Sequence, residues 1–398
     1  MSTVSSIFRS VVNRSLRVTG PSGDGRRFES AAGLVTWAEK RTGLGKWGDP
    51  IFRSGLDAVL DALEELPGLS PLGVVTYENM IRQALVNRLW FLDDAVPRKE
   101  IDAPVIISGL PRSGTTALHR ILALDPLFHA PMLWELLDPF SRSSATFRRW
   151  RTRAQVGFKN RLLPDLDDKH FTRADTAEEC TLLLANSLAS PLFWDLAPLD
   201  GYLEWYQTAD QRPVYADYRR QLEVLQALHP DRRLLLKAPA HLGNLAILHD
   251  VVPEATLIQT HRDPTRCFFS HCSLRETLGQ LVMDDPDRVA IAAQVERVFN
   301  HDLRANMAFH QNASPQVVNV SCSELRHAPF DVLRDIREVL GMGWAGADSE
   351  TVRQFLRRQS RRGPGRHHYS QDGWGITPEE VGELFGDYRS TFAERLAG

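Results

Sequence analysis

The chain has 398 residues, of which 43% are hydrophobic and 24% charged, and a formal net charge of -3. This balance carries no nucleic-acid signature, and no apolar run approaches the ~20 residues that span a bilayer. Its four cysteines, Cys180, Cys267, Cys272 and Cys322, show neither a C-x-x-C pair nor a repeated spacing, which argues against both a zinc site and a disulfide scaffold and suits a reducing cytoplasm.

Residues 1–29 read as a flexible or amphipathic segment. Val4, Ile7, Phe8, Val11 and Val12 fall at helical spacing beside Arg9, Arg14 and Arg17, a pattern that either packs on the core or lies weakly on an anionic membrane surface. Residues 19–26 are turn-rich. A helical N-terminal extension follows over 30–100, broken at Gly43 to Pro50 and at Pro67 to Pro71.

From residue 101 to 398 the pattern becomes that of an α/β domain. Strands are expected at 105–108, 233–237, 256–260 and 317–320, and helices at 115–124, across 176–229, and at 241–250, 265–278 and 323–341. Strands that alternate with helices imply a P-loop-type parallel sheet flanked by helices on both faces. Thr377-Pro378-Glu379-Glu380 specifies a last helix, with an N-cap threonine, proline at N1 and glutamate at N3.

The join between the first strand and its helix reads Gly109-Leu110-Pro111-Arg112-Ser113-Gly114-Thr115-Thr116. Loop amides and a helix N-terminus converge there, which makes an anion site. Gly109 and Gly114 keep the Walker spacing, but Thr115 stands where the Walker lysine belongs, so the usual lysine and magnesium clamp on a β/γ-phosphate is missing. Arg112 supplies a cation instead, and Ser113, Thr115 and Thr116 supply hydroxyls.

Two more cations fall at strand ends. Lys237 closes "LLLK", with His241 just beyond, and Arg262 follows strand 256–260, with Ser270 eight residues later on the next helix. Ligands of open α/β sheets bind at the carboxyl ends of the strands. Arg112, Lys237 and Arg262 together therefore predict a ligand with at least two anionic groups.

These residues resemble the nucleotide-dependent sulfotransferases, in particular a bacterial branch with a P-R-S-G-T-T loop. The resemblance runs from about residue 104 to 275. Pro111 to Thr116 resembles that family's 5′-phosphosulfate loop, Arg262-Asp263-Pro264 with Ser270 its 3′-phosphate motif, and "LLLKAPAHLGN" its lysine segment, with Ala238 where a hydroxyl is usual. Arg361-Arg362-Gly363, inside the basic loop 357–370, is loosely similar to the family's nucleotide loop. The resemblance implies 3′-phosphoadenosine 5′-phosphosulfate as donor, no metal, and a hydroxylated small-molecule or lipid acceptor reached from the cytoplasm or the membrane periphery.

Sulfuryl transfer needs in-line attack, removal of the acceptor proton and donors for developing charge. Arg112 and Lys237 are the expected electrostatic groups. Glu135, 23 residues after Arg112, matches the offset of a glutamate base in related enzymes, and its neighbours Leu133, Trp134, Leu136 and Leu137 would raise its pKa by desolvation. His241 is the other expected base, ahead of Asp138, His129 and His170. A P-loop kinase or nucleotide hydrolase would need a loop lysine and a metal-holding carboxylate in register, and neither is found. A non-catalytic nucleotide-binding protein would keep the anion sites and lack the base.

Overall fold

A computed structural model describes residues 12–13, 26–312, 317–343, 349–361 and 370–396. Three helices come first: α1 (Ala31–Thr42), α2 (Ile51–Glu65) and α3 (Pro71–Leu92). Ser30 and Ser70 cap α1 and α3 by accepting from Gly33 N and Gly73 N. The α/β part then runs β1 (Val105–Gly109), α4 (Thr115–Leu122), β2 (Phe128–His129), α5 (Leu133–Leu137), α6 (Ala145–Leu162), α7 (Arg212–Leu228) and β3 (Arg233–Lys237). It continues with α8 (Leu245–Val251), β4 (Thr256–His261), α9 (Pro264–Gly279), α10 (Arg288–Gln311) and β5 (Val318–Ser321).

The five strands form one sheet in the order β2-β3-β1-β4-β5, and every pairing is parallel. Side chains alternate across it. Ile106, Leu236 and Leu257 join the core under α1 to α3, whereas Val105, Ile107, Leu235 and Ile258 pack with Leu118, Ile121 and Leu333 on the other face. Strands buried on both faces read as continuous apolar runs, which is why these were legible as strands.

The N-terminal helices share their core with the sheet. Leu34, Phe52, Tyr77 and Leu85 belong to the same cluster as Ile106 and Leu236. A buried ion pair ties them further: Arg88 Nη1 of α3 lies 2.6 Å from Asp217 Oδ2 of α7, and Arg88 Nε donates to the Trp47 carbonyl.

Several expected elements differ. The helical stretch 176–229 is broken, because the chain from Asn186 to Leu199 turns across α2 instead; a side chain at Gly55 would meet the Leu188 carbonyl at 2.6 Å. The helix expected at 241–250 opens as a 3-10 turn over Pro239–Asn244, and that at 323–341 splits into Cys322–His327 and Pro329–Val339, where proline has no N–H to continue the first. β2 is only two residues long and has no periodicity to read. The last helix expected from the sequence is followed by two more short ones, Gly386–Thr391 and Ala393–Leu396; the one it specifies, Pro378–Leu384, has the expected capping box: Thr377 Oγ1 accepts from Glu380 N, and Thr377 N donates to Glu380 Oε2.

Of the N-terminal segment only Val12 and Asn13 are described before residue 26; Asn13 Oδ1 accepts from Leu72 N at 3.0 Å. Its amphipathic reading otherwise lies outside the described residues. No described helix is long and apolar enough to cross a membrane.

Candidate active site

The strand order sets the site. β3, β1 and β4 are neighbours, so Lys237, the loop after β1 and Arg262 stand side by side at the carboxyl edge. Gly109 leaves β1 at φ +143°, and a Cβ there would meet the Thr260 carbonyl at 2.5 Å, so only glycine lets the loop turn this close to β4. Arg112 holds a left-handed φ of +71°. Gly114, at φ +100°, begins α4 without a side-chain cap, so no side chain of its own satisfies the first amides of the helix.

Within this loop the side chains divide. Ser113 was expected to face the anion, but its N–H and its hydroxyl both donate to the Leu110 carbonyl, at 3.1 and 2.6 Å, and the hydroxyl also pairs with Thr260 Oγ1. It is fully buried and holds the loop's shape. Thr116 Oγ1 accepts from Lys237 Nζ at 3.1 Å. Arg112 Nε donates to Ser270 Oγ at 3.1 Å and its Nη1 to the Lys169 carbonyl, while Arg262 Nη1 donates to the Arg112 carbonyl at 2.9 Å. The loop cation and the two residues of the second motif thus form one cluster. Arg362 and Gly363 lie outside the described residues, as does the side chain of Arg361, the last residue of its helix.

The loop opens into a cavity of about 1390 Å³, walled on the polar side by Arg112, Thr116, Arg262, Glu178, Glu179 and Asp195. Its apolar lining includes Leu72, Val75, Met80, Leu274, Leu278 and Leu281, from α3, α9 and the turn after α9. The two expected bases do not line it. Glu135 Oε2 accepts from Met132 N at 2.8 Å, and its Oε1 faces His129 and His229 near the far end of β3. Its pKa also moves opposite to expectation. Burial would raise it, but hydrogen bonds from His229 and the Met132 amide, with the nearby His129, bring it below the usual value.

His241 is completely buried, its Nδ1 2.9 Å from Tyr215 Oη and its Nε2 3.4 Å from Cys180 Sγ, and burial lowers its pKa to about 3. The carboxylates that do reach the cavity went unnoticed in the sequence. Glu179 Oε1 lies 2.5 Å from Lys237 Nζ. It is delivered there by the bond from Cys180 N to the Lys237 carbonyl, a long-range pairing that only "AEEC" before an apolar run hints at.

Glu178, beside it, is buried and 3.7 Å from His170 Nε2; burial would raise its pKa, but His170 and Lys237 hold it down to about 2. Asp195, which lines the cavity, is 3.9 Å from His271 and 4.0 Å from Arg275; burial pushes its pKa up to about 6 despite Arg275.

α6 carries a run of arginines that includes Arg148, Arg149, Arg151 and Arg153, and these four are engaged. Arg148 and Arg149 lie over the Trp134 ring, Arg151 meets Asp138 at 2.7 Å, and Arg153 meets Asp175 at 2.8 Å. Four aromatics close in sequence, Trp194, Tyr202, Trp205 and Tyr206, could have lined an acceptor cleft; all four pack in or against the main core, and of them only Trp194 also lines the cavity.

Among solved structures, the chain is similar to sulfotransferase STF1 of Mycobacterium tuberculosis H37Rv, with 27% identity and a TM-score of 0.73, covering 91% of this chain and 100% of that one. STF9 of Mycobacterium avium shares the fold at 24% identity and a TM-score of 0.77, covering 95% of this chain and 100% of the other. A curated relative, the omega-hydroxy-beta-dihydromenaquinone-9 sulfotransferase Stf3 of Mycobacterium bovis, is 23% identical over 297 residues, 72% of this chain and 75% of that protein. The family model described as "Sulfotransferase family" matches residues 104–346, which is more than half of the chain and includes both the loop after β1 and the Arg262 motif; the chain belongs to the sulfotransferase family.

Proposed function

We propose that this sulfotransferase moves a sulfuryl group from 3′-phosphoadenosine 5′-phosphosulfate to the hydroxyl of a lipid-like acceptor. The observation that carries the reading is the juxtaposition, in one cavity, of a two-part cationic edge and an apolar wall. The donor fits the residues present: the uncapped start of α4, Thr115 and Thr116 suit the phosphosulfate end, and Arg112, Arg262 and Ser270 suit a second phosphate. When bound, it supplies an activated sulfuryl group whose leaving group is a phosphate.

The chain's own residues then do three things. The amides at the start of α4 and Lys237 Nζ, held at Thr116, provide positive charge where the bridging oxygen gains negative charge. Glu179, in contact with Lys237, takes the acceptor proton; as Lys237 turns towards the leaving oxygen, the carboxylate is released from its partner and gains basicity. The apolar wall from Leu72 to Leu281 excludes water and aligns an apolar acceptor. The menaquinone derivative in the name of the Stf3 relative is an acceptor of this kind, which supports a hydroxylated lipid here.

The test is ligand-dependent melting. The desulfo product, 3′-phosphoadenosine 5′-phosphate, should raise Tm without magnesium, equivalent to about 2.7 kcal/mol at a concentration about 100 times its Kd. ATP with magnesium, lacking a 3′-phosphate, should do far less. Equal stabilisation by both rejects the reading.

A further inference from the structure

Away from the cavity, three residues that no sequence spacing links come together. His129 ends β2, Glu135 lies in α5, and His229 caps the end of α7. Glu135 Oε1 is 3.6 Å from His129 Nε2 and 3.4 Å from His229 Nε2, and the three ligand atoms lie within 4.8 Å of one another. Nitrogen and oxygen ligands held tetrahedrally at about 2.0–2.1 Å from a metal are about 3.3–3.4 Å apart. Two of the three edges are already close to that length.

Two further observations point to a ligand. His129 is 7% exposed, and its Nε2, aimed into the cluster, has no hydrogen-bond partner among the described residues. Such an orphaned buried nitrogen is costly unless something accepts its proton or takes its lone pair. Glu135 is meanwhile oriented from behind, since Met132 N fixes its Oε2 and leaves Oε1 facing the two imidazoles.

We propose that His129, Glu135 and His229 bind a divalent metal ion of the zinc class, with solvent completing a four-coordinate shell. Two imidazoles and one carboxylate are the borderline ligand set that zinc and cobalt favour, and too nitrogen-rich for magnesium or calcium. The imidazoles stack, with centroids 3.4 Å apart and planes 17° from parallel, so one must swing before both lone pairs meet at one ion. His229, at the helix end with a side chain 27% exposed, is the one free to turn. The ion would brace β2, α5 and α7 against each other and so fix Leu133 and Leu137, which α5 contributes to the cavity wall. Its role is structural, because none of its ligands lines the cavity.

The experiment uses the full-length, tag-free protein, stripped with a chelator and titrated with Co²⁺, whose visible bands report tetrahedral nitrogen and oxygen ligation. A stoichiometric, saturable absorbance that Zn²⁺ displaces, with a Zn²⁺-dependent rise in Tm, is expected. His229→Gln, changed at the partly exposed end of the cluster, should lose both responses while keeping its far-UV circular dichroism and its binding of 3′-phosphoadenosine 5′-phosphate. Glu135→Gln should weaken the cobalt spectrum independently. The proposal falls if the wild type gives no visible bands, if a thiolate charge-transfer band reveals cysteine ligation instead, or if His229→Gln binds cobalt as the wild type does.

Discussion

Lys237 and Glu179 are bonded at 2.5 Å beside the loop that follows β1, and the same ammonium reaches Thr116. The cation at the end of β3 is therefore shared between a carboxylate and the loop. Moving it from one to the other alters the charge on both.

Glu179→Gln should lower kcat by about 10²- to 10⁴-fold, the usual cost of a lost positioned base, while binding of 3′-phosphoadenosine 5′-phosphate persists. Glu135→Gln should stay within a few-fold of wild type at a temperature where it is folded, since Glu135 does not line the cavity. Steady-state rates of both variants decide the matter. A dead Glu135→Gln beside a normal Glu179→Gln returns the base to Glu135.

Arg112, Ser270 and Arg262 act as one unit, so their losses should not add. Hydrogen bonds to charged groups contribute about 1.5–3 kcal/mol, so Arg112→Ala and Arg262→Ala should each raise the donor KM roughly 10- to 150-fold. The double variant should fall well short of the product of the two effects. Multiplicative losses in donor KM would show two independent sites.

The Arg88–Asp217 pair makes a stability prediction. Its atoms are almost wholly buried, and removing one partner leaves the other charge without compensation, which costs about 3–5 kcal/mol. Asp217→Ala should lose that much in urea unfolding, with the activity of the folded fraction unchanged. Arg88→Met combined with Asp217→Leu should recover most of it.

Asp195 and Glu178 give opposite pH signatures. The Asp195 carboxyl, raised to about 6, keeps its proton while the unfolded chain releases it near 3.9, so its contribution to stability declines as pH rises from about 4 to about 6. Asp195→Asn should gain in Tm on the wild type across that window and hold a constant advantage above it. Glu178, held down to about 2, stabilises the fold above pH 4.5 and stops doing so as pH falls towards 2. Glu178→Gln should therefore be destabilised at neutral pH and converge on the wild type in acid. Parallel melting-temperature curves, flat with pH in either difference, would contradict the assignment.

The sheet and its three strand-end cations were legible because each is local: a short apolar run, then a cation, then a helix start. Three neighbouring strands bring Lys237, Arg112 and Arg262 together without any further instruction. Which carboxylates reach the cavity was not legible, because an offset along the chain does not say which way a residue faces. Glu135 lies in a five-residue helix whose capping box turns its carboxylate back onto Met132. Glu179 depends on the pairing of Cys180 with the Lys237 carbonyl, which brings together residues 57 positions apart in the chain. His241 is overridden by Tyr215 and Cys180, partners from elsewhere in the chain that enclose it in the core.

The guanidinium of Arg262 holds the carbonyl of Arg112, a non-glycine residue at φ +71°. A backbone conformation of that kind persists only where its surroundings enforce it. The side chain at 262 thus guards the backbone at 112 rather than its side chain. Among relatives of this chain, position 262 should tolerate change only where position 112 has become a residue at ease in the left-handed region, such as glycine or asparagine, and the two should drift together even in lineages whose donor has not changed.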